Sequence, residues 1–153
     1  MQEFYNFEIV IQLFLAVILG GLVGLERESL KKEAGLRTFC LVCLGATLFT
    51  IVAFEASDSL IGKPGIAFDP SRIIGQIVLG VGFLGAGLII FRRARIEGLT
   101  TAAALWIIAA IGAAVGAKFY FLAILVTFLT ILILTGFRLL EEKFLRTKEL
   151  KEP

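Results

Sequence analysis

Asp69-Pro70-Ser71-Arg72, followed one turn later by Gln76, is the stretch of the chain with the most chemistry in it. Asp69 is suited to accept a backbone N–H at a helix start, and Pro70 fits the first helical position. Capping does not account for Arg72 and Gln76, which share a helix face with Asp69 at the edge of a long apolar run. Ionisable and amide groups placed there are costly unless partnered. Two readings stay open: an Asp69–Arg72 pair that pins the helix while Gln76 bonds a neighbour, or a protein-lined polar site made of Asp69, Arg72 and Gln76. Glu8, Gln12, Glu55 and Asp58 fall on the same side of the apolar runs. They add oxygens of the kind a hydrated Mg²⁺ takes, whereas Arg72 would repel a cation, so the presence of a metal is left open.

A second constellation gathers at the opposite ends of the runs. Glu26, Arg27 and Glu28 close the first, Arg37 and Thr38 open the second, and Thr100 and Thr101 open the fourth. Thr100 is the expected N-cap there, and Arg27 or Arg37 is expected to pair with Glu26, Glu28 or Glu97. The plain reading is an interfacial belt of ion pairs; the alternative is a functional inner-side site.

Other motifs lose their chemistry in context. Gly80-Val81-Gly82-Phe83-Leu84-Gly85 matches G-x-G-x-x-G, but it lies inside an apolar helical run with no preceding strand, so it is a packing feature. Cys40 and Cys43 are the only cysteines and the chain has no His, which leaves too few ligands for zinc; they are expected to pack as small apolar groups. Without an imidazole or a nucleotide loop no enzyme and no cofactor is expected. Arg92, Arg93 and Arg95 read as an anchor on anionic lipid, not as a nucleic-acid site.

What must position these residues is a membrane bundle. The 153 residues are 58% hydrophobic, above the roughly 45–50% of soluble chains. Apolar runs lie at Phe7–Leu25, Arg37–Phe54, Arg72–Phe91, Leu99–Gly116 and Phe119–Leu140. Each is about long enough to cross a hydrocarbon slab of roughly 30 Å as a helix. The fold class is therefore all-α: a polytopic protein of five transmembrane helices. Residues 1–140 form the membrane domain and 141–153 a short charged tail, in which Glu142 and Arg146 stand four apart. Lys118 is expected at a tight corner between the last two helices.

With the N-terminus outside and the C-terminus cytoplasmic, twelve of the fifteen basic residues lie inside; Lys63, Arg72 and Lys118 lie outside. No basic residue precedes Arg27, so the first run is expected to be a retained span and not a cleaved leader.

Small residues mark where helices in lipid meet. The expected packing glycines are Gly20 and Gly24 on the first helix, with Ala16 and Arg27 on the same stripe, and Gly112 and Gly116 on the fourth. On the third they are Gly80, Gly82, Gly85 and Gly87. Small residues on both sides of the third helix make it the expected centre. Ile107, Ile108, Ile111 and Val115 are expected to face lipid from the fourth helix. The fifth is expected at the periphery, touching the bundle through Ala123, Thr127 and Thr130.

Taken in order, Gly24-Leu25-Glu26-Arg27-Glu28, Ala34-Gly35-Leu36-Arg37-Thr38 with Leu41, Val42, Gly45 and Ala46, Asp69-Pro70-Ser71-Arg72-Ile73, Gly82-Phe83-Leu84-Gly85-Ala86-Gly87, and Gly98-Leu99-Thr100-Thr101-Ala102-Ala103 running to Trp106 and Gly112 form a specific set. It resembles the membrane domain of the MgtC/SapB (SapB/YhiD) family over about residues 9 to 125. The resemblance implies a bacterial-type inner-membrane protein linked to magnesium limitation and, in pathogens, to survival in macrophages. It also implies the F-type ATP synthase as a partner, since one family member is associated with its restraint. Family members with a cytosolic regulatory domain after the last helix carry what is not expected here, and Phe39 stands where a polar residue often follows the Arg-Thr pair.

Two functions are compatible with these features. One is a non-enzymatic regulatory protein linked to magnesium homeostasis, binding other membrane proteins or a second copy of itself within the lipid bilayer. The other is a small ion transporter or channel, dimeric because five helices barely enclose a pathway, with its polar site on the third helix.

Overall fold

The computed structural model describes residues 2–60, 68–92, 95–140 and 143. Lys63, Arg93 and the charged tail beyond 140, apart from Lys143, lie outside the described residues, as does the expected Glu142–Arg146 spacing. The elements run α1 (Gln2–Ser29), α2 (Leu36–Leu60), α3 (Pro70–Leu88), β1 (Ile90–Arg92), β2 (Arg95–Glu97), α4 (Leu99–Gly116) and α5 (Tyr120–Leu132). A π-helical turn at Ile133–Phe137 continues the last helix, whose apolar span runs Tyr120–Leu140. All five helices are long and apolar enough to cross a membrane.

The core is a three-helix unit. α2 packs against α1 on one side and α4 on the other, and both seams are made by glycine. A Cβ on Gly20 would lie 2.8 Å from the Phe39 carbonyl oxygen and 2.9 Å from Cys43 Cβ. One on Gly24 would lie 2.8 Å from Leu36 Cα. On the other seam, a Cβ on Gly116 would meet the Thr47 carbonyl oxygen and Thr50 Cβ, each at 2.7 Å, and Gly112 lies directly against the Cys43 carbonyl. Such backbone approach is how helices gain packing energy where no water drives them together. Thr47 locks the second seam, its Oγ1 donating to the Gly112 carbonyl at 2.8 Å while shared with Cys43 of its own helix.

α4 is the buried centre, and this corrects two expectations. Ile108, Ile111 and Val115 are fully buried instead of facing lipid, and Ile107 is partly buried. α3 is not central; it lies at the edge against α4 and α2, burying only Val81 and Gly85. Gly85 rests on Ala102, but a Cβ on Gly75, Gly80, Gly82 or Gly87 would meet nothing within 4 Å. Phe83 is 81% exposed. α5 is peripheral and buries Ala123, Thr127 and Thr130.

Both corners around α4 have a local cause. α3 stops at Leu88, three residues before the end of the expected span, and the chain reverses through an antiparallel hairpin pairing Ile90 with Glu97. Gly98 then caps α4 with φ 85°, a conformation that suits glycine. Its missing side chain leaves room for the Leu88 carbonyl. At the other end Lys118, with φ 65°, turns the chain between α4 and α5.

Candidate functional site

The rim carrying the N-terminus is organised by Gln12, an amide on the second turn of the α1 span that is 99% removed from the surface. Its Nε2 donates to the carbonyls of Val115 at 2.9 Å and Gly116 at 3.2 Å, tying α1 to the end of α4. Four residues earlier, Glu8 accepts from Lys118 Nζ at 2.8 Å and from the Tyr120 hydroxyl at 3.2 Å. The carboxylate holds the Lys118 ammonium above its ordinary pKa. Between these groups and the last turns of α2 lies a cavity of about 230 Å³, lined among others by Gln12, Glu55, Asp58, Gly116 and Lys118. Of the oxygens gathered by sequence, Gln12, Glu55 and Asp58 therefore meet, with Glu8 held at the edge by Lys118.

Asp69, Arg72 and Gln76 do not join them. Asp69 caps α3, accepting from the Ser71 backbone N–H at 2.9 Å, and the bonds from Ser71 lower its pKa. Arg72 makes no ion pair with Asp69; among the described residues the ion pairs are Arg27–Glu26 and Lys118–Glu8. The reason is local: once the Asp69 carboxylate turns in to cap the helix, Arg72 projects outward. Arg72 and Gln76 are both exposed. Gln76 lines a broad apolar groove of about 620 Å³ between α2 and α3, with Gly45, Phe49, Gly80 and Leu84. An exposed amide on a membrane-spanning helix is an expense without a partner.

At the opposite rim the constellation closes around α1. Arg27 is buried and its Nε and Nη2 make a two-pronged contact with Glu26. Glu28 reaches across to the start of α2, its Oε2 accepting from the Leu36 N–H at 2.7 Å. Thr101 is buried and donates to Glu33 Oε2 at 2.6 Å; that bond is the main reason the Glu33 carboxyl sits below the usual range. Arg37, Thr38 and Thr100 stay exposed and outside this network. Thr100 is not the N-cap, because the positive φ of Gly98 starts the helix two residues earlier.

Sequence reasoning missed Glu33 as the partner of Thr101, and it grouped Gln12 with the carboxylates without seeing its link to α4. The available signal was burial: an amide within an apolar run has to find a carbonyl or hydroxyl somewhere.

Five spanning helices, glycine seams and polar side chains used chiefly to tie helix ends together define a multi-pass integral membrane protein. The comparison with known proteins gives it a lineage: the MgtC family profile matches residues 13–143, and the chain belongs to the MgtC family. It is 45% identical over 130 residues to the Escherichia coli K12 protein named "Putative magnesium transporter YhiD", covering 85% of this chain and 60% of that one. It is 42% identical to Protein SrpB of Synechococcus elongatus, over 85% of this chain and 75% of the relative. It is 39% identical to Protein MgtC of Salmonella typhimurium LT2, over 75% of this chain and 46% of the relative. The chain thus spans between about half and three quarters of the length of these relatives. No solved structure matches it significantly. It is accordingly a multi-pass protein of the bacterial inner membrane.

Proposed function

We propose that the chain is a non-enzymatic regulatory protein that acts by binding another membrane protein through the exposed surface of α3, which presents Gly75 and Gly82 on one side and Gly80 and Gly87 on the other. The observation that carries this is the contrast between its glycines. Gly20 and Gly24 of α1 and Gly112 and Gly116 of α4 are consumed in backbone contacts, whereas a Cβ on Gly75, Gly80, Gly82 or Gly87 of α3 would meet nothing within 4 Å. Glycine in a helix interior costs about 1 kcal/mol relative to Ala, and in lipid that cost is offset only where another backbone approaches. Gln76 on the same helix offers both a donor and an acceptor to such a partner. The F-type ATP synthase implied by the resemblance is one partner to test, and a second copy of the chain is another. The topology we propose places the N-terminus outside, so that the Gly98 hairpin and Arg27 face the cytoplasm.

The competing reading is an ion transporter assembled from two copies, favoured by the relative's name and by Gln76 lining the α2–α3 groove. Flux into proteoliposomes separates the two. The regulatory reading expects no uptake of Mg²⁺ or monovalent ions, together with crosslinking of Gly80→Cys to a membrane partner in a background lacking Cys40 and Cys43. Uptake abolished by Arg72→Ala or Gln76→Ala, yet kept in Leu79→Ile, would replace it with the transporter.

A further inference from the structure

Gln12, which lines the cavity at the N-terminal rim, carries a buried polar atom that no described residue partners. Both contacts of the Gln12 amide are backbone carbonyls, which only accept, so Nε2 must face them and Oε1 must face away. Among the described residues nothing donates to that oxygen, although the side chain is 1% exposed. A buried acceptor left unmatched costs roughly 1–3 kcal/mol, so whatever fills the cavity presents a donor or a positive charge to it.

The rest of the lining points the same way. Glu55 and Asp58 lie three apart on the last turns of α2, on one face, and both border the cavity. The positive group at its edge, Lys118, is bonded to Glu8, which leaves the net charge of these four side chains at −2. Every acceptor on offer is oxygen: two carboxylates, one amide and the carbonyl side of the α4 terminus. That set suits a hard cation, and the charge suits a divalent one. Among the described residues no three acidic, His or Cys side chains close on one point tightly enough to hold a bare ion. The space is ample for a hydrated one, since about 230 Å³ holds an ion with a shell of about six waters at roughly 30 Å³ each.

We infer that this cavity binds a divalent cation with its water shell retained, the shell donating to Gln12 Oε1 and to the Glu55 and Asp58 carboxylates. The site is separate from the α3 face and stands whether the chain regulates or transports. Binding here braces the α1–α2–α4 unit at one rim, because the three helices each contribute to its wall.

The test is thermal unfolding of the full chain in nanodiscs of zwitterionic lipid, titrated with MgCl2 against NaCl of equal ionic strength. The midpoint is expected to rise and saturate with Mg²⁺ only. Glu55→Gln and Asp58→Asn should each weaken the half-saturation concentration about tenfold, as removal of one nearby charge does, and together they should abolish the shift. Asp69→Asn, on a different helix end, should leave it unchanged. Lys118→Gln frees the Glu8 carboxylate and should tighten binding, a gain that misfolding cannot imitate. A shift that NaCl reproduces, one that survives in the double variant, or a Lys118→Gln variant that binds no tighter would mean that no divalent cation is held in this cavity, and would overturn the inference. None of these outcomes bears on crosslinking through α3.

Discussion

Replacing Gly20 and Gly80 separately by Ala asks whether the two kinds of glycine described above do different jobs. At Gly20 the new methyl would stand 2.8 Å from the Phe39 carbonyl oxygen and 2.9 Å from Cys43 Cβ, where ordinary contact begins at 3.4 Å. Both neighbours belong to the body of α2, so α1 must withdraw by roughly half an ångström along the seam. Overpacking of this kind costs about 1–3 kcal/mol, from which better helix propensity recovers at most about 1 kcal/mol. At Gly80 nothing lies within 4 Å, so only the propensity gain remains. The two single variants should therefore differ by about 2 kcal/mol, with Gly20→Ala the weaker. The assay is reversible unfolding in mixed micelles followed by far-UV circular dichroism and by the single tryptophan, Trp106. Equal stabilities would refute the claim that the α1–α2 seam is set by backbone contact. A Gly80→Ala variant that folds as well as the parent but no longer crosslinks to its partner through Gly87→Cys, in the background lacking Cys40 and Cys43, would separate the α3 surface from the core altogether.

Three further outcomes follow from single contacts. Gln12→Leu removes two bonds to the end of α4 and should lower stability by about 1–2 kcal/mol, read in the same micellar assay. Gly98→Ala forces a side chain into a φ of 85° and against the Leu88 carbonyl, so it should cost more than about 1 kcal/mol, visible as a lower unfolding midpoint. Glu33 has its pKa depressed chiefly by Thr101; its contribution is present above the ordinary carboxylate pKa and lost as the pH falls through the depressed value. Parent and Thr101→Val should thus differ at neutral pH and converge in acid, by less than about 1 kcal/mol because Glu33 is exposed.

Much of the architecture was legible because lipid restricts the options. Apolar run lengths located five helices, Asp69-Pro70 located the start of α3, and Ala123, Thr127 and Thr130 marked the one face by which α5 touches the bundle. The order of packing was not legible, for a physical reason. In water an Ile-rich face must be buried, but in a bilayer the same face is at home in the core or in lipid, so Ile108 and Ile111 gave no sign of their burial. Glycine is ambiguous in a different way: it records that a backbone comes close without saying whose. Gly20 and Gly112 meet their own chain, while Gly80 and Gly82 do not. The polar sites divided likewise. Arg27 with Glu26 was within reach of spacing alone, but Glu33 with Thr101 joins residues 68 apart, and only the helix order brings them together.

The long reach of Gln12 also bears on how the protein is made. Its two acceptors lie 103 and 104 residues downstream, so the nascent α1–α2 pair enters the bilayer well before the ribosome has supplied them. Thr47 can wait, since its hydroxyl also bonds the Cys43 carbonyl of its own helix, but the Gln12 amide has no such local refuge among the described residues. Until α4 arrives that amide must be sheltered by water at the interface or by the insertion machinery, which makes the fourth helix the step that commits the nascent chain to its final shape.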